Sequence, residues 1–198
     1  MGNPVLETVT GKLVDVVNTT PDMIDFEDIA WSLSRQSRFN GHTITLVPYS
    51  VAQHSMQVAS RVSGFTENTN VVLAALLHDA AEAYISDIPS PIKNIDGFRA
   101  HIKQIEDKIT CVIFEALNVP YPSEFEWKLI KDADKWCQAI EAHAFMSSRG
   151  MYWQGLPKPD LVELQRFSNP LASTDAYFAF KQYFLDCKEG LELEKPRR

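Results

Sequence analysis

The chain has 198 residues, 45% apolar and 23% charged, with a formal net charge of −7. That length suits one compact domain over 1–198, and the acidic balance argues against a nucleic-acid polymer as partner. No apolar run approaches the ~18–20 residues of a membrane span, so no membrane partner is expected. The opening MGNPVLETVTGKLVDVV lacks the basic-then-apolar order of a signal peptide, and Gly2 with Thr8 misses the myristoylation spacing. Cys111, Cys137 and Cys187 are scattered, with no CxxC pair. They suit a reducing cytoplasm better than a disulfide framework or a structural zinc.

In chain order, KLVDVV reads as a short strand ending near Asn18. Asp25 is placed to cap a first helix through FEDIAWSLSRQ, with Ile29, Trp31 and Leu33 among its apolar residues. A loop, SRFNGHTITLVPY, follows, in which TITLV is extended. Ser50 with Gln53 forms a capping box for a second helix with Val51, His54, Val58 and Val62 on one face, ended by Gly64.

Asn70 is expected to cap a third helix, VVLAALLHDAAEAY, running to Tyr84. The prolines of SDIPSPIK then impose a non-helical loop. A fourth helix near Phe98–Leu117 carries a stripe of Ile102, Ile105, Ile109, Val112, Ile113 and Ala116. Ser123 with Glu126 opens a fifth, to about Phe145, and Ser173 caps a last one over about 173–187. The tail ELEKPRR reads as frayed. The fold class is all-α, a bundle of about six main helices with its core over about 24–147.

The chemistry gathers on the third helix. His78, Asp79 and Glu82 interrupt a segment that is otherwise apolar nearly all round, which is costly unless something pairs them. A metal ion removes that cost, since imidazole and carboxylate are its ligands. His54, inward on the second helix, supplies another imidazole. On the fifth helix Asp132 has Lys128 and Lys135 within one turn, as on a solvated face, whereas Asp134 is flanked by Ile130 and Cys137 and points inward. Asp134 is therefore the better ligand.

His54, the pair His78-Asp79 and Asp134, set in SRFNGHT, YSVAQHS, ALLHDAAEAYISDIPSPIK and KDADKW, resemble the four-ligand signature of the HD superfamily of metal-dependent phosphohydrolases. The resemblance runs from roughly Ile24 to Phe145 and is closest to the small bacterial and phage group of 5′-deoxynucleotidases and dATP triphosphohydrolases. It implies a divalent ion (Mn, Co, Zn, Fe or Mg) on those four residues, a deoxynucleotide substrate and a homo-oligomer. It also implies that Glu82 orients or deprotonates water and that Asp87 contacts the deoxyribose or the leaving group.

Around them Arg38 is a phosphate clamp, offering a fork of donors, with Arg35 a weaker one. Lys93 and His42 are candidate phosphate contacts, and Phe39, ahead of Trp31, a surface for stacking a base. His101 and His143 find no role. The activity expected is removal of the 5′-phosphate from deoxynucleoside monophosphates, with triphosphate removal from a deoxynucleoside triphosphate as alternative. A non-catalytic nucleotide-binding HD module, or a buried polar network without metal, are the readings from other classes.

Overall fold

The computed structural model describes residues 5–167 and 169–190. After a hairpin of β1 (Val5–Glu7) and β2 (Leu13–Asp15) the chain is helical: α1 (Phe26–Leu33), α2 (Val51–Ser63), α3 (Thr69–Leu76), α4 (Glu82–Ile85), α5 (Ser90–Lys93), α6 (Phe98–Ala116), α7 (Glu124–Phe145), α8 (Leu164–Phe167) and α9 (Ser173–Glu189). The fold is all-α, with α1, α2, α3, α6, α7 and α9 as its main helices. The hairpin pairs Leu6 with Val14, so the strand expected near KLVDVV finds its partner in the preceding VLE. The expected frayed tail lies outside the described residues.

Helix α2 is the hub, packed against α3, α7 and α9. Its Val58, Ala59 and Val62 are fully buried, with Leu33, Leu76, Ile109, Ile113, Ile130 and Phe180 in the same cluster. Burying such side chains contributes about 1.5–3 kcal/mol each, which is what sets α2 and α7 side by side. The caps hold them in register. Asp25 accepts from the Glu27 amide at 2.9 Å, and Ser123 with Glu126 forms the reciprocal box expected at α7.

Four local expectations are corrected. The Ser50 hydroxyl accepts from the Gln53 amide, but the Gln53 side chain does not reach back. It bonds the carbonyl of Asn169 and the amide of Leu171, tying α2 to the approach to α9. Helix α3 is capped by Asn68 rather than Asn70, the Asn68 side chain accepting from the Asn70 amide at 3.1 Å. TITLV forms no strand, since its Ile44 amide is taken by the Phe145 carbonyl at 2.9 Å. Within SDIPSPIK, residues 90–93 turn as one helical turn, with Pro91 in its first positions where a missing N–H costs nothing.

The correction that matters most concerns the third helix. It ends at Leu76, and His78 and Asp79 lie in the turn that follows. The last bond of α-helical spacing before the turn is Leu77 N to Leu73 O. Ala80, Glu82, Ala83 and Tyr84 each bond three residues back instead. One cause is visible: His78 Nδ1 lies 2.8 Å from the Ala75 carbonyl, the acceptor that a continuing α-helix would give to the Asp79 amide.

Candidate metal-binding and active site

The two imidazoles are anchored alike. His54, fully buried on α2, lies with Nδ1 2.6 Å from Glu141 Oε1. His78 turns its Nδ1 to the Ala75 carbonyl. With Nδ1 donating in both, Nε2 is the ring nitrogen left to bind something, the arrangement usual for metal-ligating histidines. Both Nε2 atoms are buried and lack a hydrogen-bond partner, which is costly unless a ligand occupies the space between them.

The carboxylates face the same point. His54 Nε2 is 3.2 Å from Asp134 Oδ1 and 3.5 Å from Asp79 Oδ2, and His78 Nε2 is 3.2 Å from Asp79 Oδ2. His54, His78 and Asp134 each bring one ligand atom within 4.8 Å of the others. Asp79 stands beside that trio, its Oδ2 also 3.6 Å from Arg38 Nη1. The donor set of two imidazoles and oxygen ligands fits a divalent transition metal.

Fields in this cluster are strong. Burial and Arg38 both oppose charge on His54, yet Glu141 and Asp134 prevail and push its pKa up to about 9. Burial would raise Asp79, but His78, His54 and Arg38 hold its carboxyl far below the usual range. Asp134 is likewise held low, against burial, by the two histidines. Glu82 goes the other way. Burial first, then the neighbouring Asp79 and Asp87, raise its pKa well above the ordinary glutamate value. Asp87 is raised by burial too, with Arg38 opposing.

A residue that sequence reasoning missed holds this together. Glu141 is fully buried on α7; it accepts from the Tyr49 hydroxyl at 3.0 Å, bonds His54 Nδ1, and pairs with Arg38 Nε at 3.2 Å. It lies two turns beyond Asp134, on the same helix face. A carboxylate in an apolar register was the available signal. Arg38, expected to clamp phosphate, is itself buried between Glu141 and Asp79.

Two clefts meet at the cluster. One, of about 830 Å³, is lined by Arg38, Phe39, His42, Asp87, Tyr152 and Trp153, among others. The other, of about 710 Å³, runs past His78 towards Lys103, Trp127 and Lys128. Asp79, Glu82, Lys93 and Asp134 line both.

Phe39 meets Trp153 edge-on at 5.5 Å. Lys93 pairs with Glu106 at 2.7 Å and approaches Glu82 at 3.8 Å. Arg35 is not at the clefts, since it stacks on Trp31 at 3.4 Å. Asp132 pairs with Lys128, as a surface carboxylate should.

Comparison with known proteins agrees with this geometry. The family described as 5'-deoxynucleotidase YfbR-like matches residues 31–149, more than half of the chain. The chain belongs to that family.

It thus falls within the HD superfamily, among hydrolases of the 5′-deoxynucleotidase type. The uncharacterized protein YfdR of Escherichia coli is 33% identical over 187 residues, covering 93% of this chain and 96% of its own. An uncharacterized protein of Rhodobacter capsulatus is 32% identical over 163 residues, 78% of this chain and 81% of its own. A protein of Erwinia tasmaniensis named 5'-deoxynucleotidase is 30% identical over 115 residues, 46% of this chain and 58% of its own. Among the described residues no helix is long and apolar enough to cross a membrane.

Proposed function

We propose that the chain is a divalent-metal-dependent 5′-deoxynucleotidase, removing the 5′-phosphate of 2′-deoxynucleoside monophosphates. The observation that carries this is the pair of buried Nε2 atoms of His54 and His78, which make no hydrogen bond of good geometry yet lie 3.2–3.5 Å from the Asp134 and Asp79 carboxylates where two clefts meet. A cation held there by His54, His78, Asp134 and Asp79 would supply positive charge to phosphoryl oxygens and lower the pKa of water. The remaining work falls to the chain. Glu82, with its raised pKa, takes the proton of the attacking water. Arg38, fixed by Glu141, presents a guanidinium to the phosphate from the cleft wall. Asp87 accepts from the sugar 3′-hydroxyl, and Phe39 offers its face to the base. His42, exposed at the same cleft, and Lys93 are left as secondary phosphate contacts.

Charge in the second cleft favours a monophosphate over a triphosphate. Of its four lining lysines, Lys93, Lys103 and Lys128 are already matched by Glu106, Asp107 and Asp132, which leaves Lys131 as the further positive charge on that wall. A triphosphate tail there meets a wall whose positive charge is for the most part already paired.

The test is phosphate release from matched deoxy- and ribonucleotides at each phosphorylation level, after chelation and re-addition of Mn, Co, Mg or Zn. Metal-dependent release of orthophosphate from deoxynucleoside monophosphates is expected. Intact tripolyphosphate released from deoxynucleoside triphosphates at higher kcat/KM would replace this reading with the triphosphohydrolase one.

A further inference from the structure

Between Glu82 and Asp87 the backbone takes an expensive conformation. Ser86 has φ 70° and ψ 157°, a region filled almost only by glycine. It is not the left-handed conformation that commonly ends a helix, whose ψ lies near +45°. Such a residue persists only where its surroundings over-determine it.

Here the surroundings centre on Gln36. Its Nε2 donates to the Glu82 carbonyl at 2.8 Å and lies 2.8 Å from Ser32 Oγ, while its Oε1 accepts from the Asp87 amide at 3.1 Å. The Glu82 carbonyl also accepts from the Ser86 amide at 2.8 Å. A primary amide is the side chain that donates and accepts at once, and this one closes on both ends of the strained turn. The backbone carbonyl of Gln36 accepts from Val51 at 3.0 Å, one turn before His54.

We propose that Gln36 is a positioning residue that clamps the turn at Ser86 and so holds the Asp87 carboxylate at the mouth of the larger cleft. The activity readout rests on the deoxynucleotidase reading; a second readout does not.

For the first, kcat/KM on matched deoxy- and ribonucleoside monophosphates is compared in wild type, Gln36→Ala, Asp87→Ala and the double variant. Gln36→Ala is expected to lower kcat/KM by roughly 10–10²-fold, the cost of a misplaced contact. It should reduce sugar preference to the level of Asp87→Ala, and the double variant should match Asp87→Ala within ~2-fold. Bound metal should stay unchanged. Multiplying effects, or a wild-type sugar preference in Gln36→Ala, overturn the proposal.

The second readout needs no substrate. The Asp87 amide should exchange with solvent about tenfold faster or more in Gln36→Ala, since its acceptor is gone, and unchanged exchange overturns the proposal even if the wild type hydrolyses nothing. Ser86→Gly keeps the turn without strain. It should raise Tm by about 2–4 °C and, combined with Gln36→Ala, recover folding and part of the lost rate. A Ser86→Gly background in which Gln36→Ala costs as much as before overturns the clamp.

Discussion

His54 and Asp134 stand on helices of 13 and 22 residues, held by apolar packing and a buried carboxylate. His78, Asp79, Glu82 and Asp87 stand on a stretch whose longest helical run is 4 residues, held by side-chain hydrogen bonds to its carbonyls and amides. The first half resembles a rigid frame, and the second is a set of turns pinned to it. Candidate metal ligands need fixing within fractions of an ångström; the long helices supply that for His54 and Asp134, and for His78 it comes from the bond between its Nδ1 and the Ala75 carbonyl. A site that takes different parts of a substrate is more readily built from turns.

The comparison breaks most visibly at the metal. Asp79→Ala should abolish stoichiometric metal and turnover together; a variant that keeps both removes Asp79 from the site. Next is Glu82→Ala, expected to keep metal while turnover falls by roughly 10²–10⁴-fold. Loss of metal with only proportionate loss of rate would move Glu82 to a supporting role.

Glu141→Gln tests the frame itself. It should weaken metal binding by about 10–100-fold and lower Tm, because Arg38 and His54 lose a buried counter-charge. Unchanged metal affinity in metal-buffered titrations would disconnect Glu141 from the site.

Asp87→Ala should reduce discrimination between deoxyribose and ribose, an effect of up to about 10², with bound metal unchanged. The smallest effect is expected from Lys128→Ala. The exposed Lys128–Asp132 pair contributes under ~1 kcal/mol, and monophosphate kinetics should not change. A selective loss on triphosphates would reopen the choice of substrate.

The two halves also differ in how much of them could be read from the sequence. Periodicity put His54 and Asp134 on interior faces, and the distinction between Asp134 and Asp132 followed from their neighbours at one-turn spacing. The run VVLAALLHDAAEAY reads as continuous helix because nothing in helix propensity reports His78 capturing the Ala75 carbonyl. Gln36 and Glu141 were invisible for a related reason. Their long-range partners lie 46 to 103 positions away in sequence, and their role appears once α1, α2 and α7 are packed.

The meeting of two clefts at one cluster has a kinetic consequence. A blind pocket forces its contents to leave in the reverse of the order in which they arrived. An enclosure with two mouths imposes no such queue. On the proposed deoxynucleotidase reading, nucleoside would withdraw past Phe39 and Trp153 while phosphate would depart past His78 towards Lys103. Product inhibition would then be random rather than ordered, each product occupying the enzyme without trapping the other.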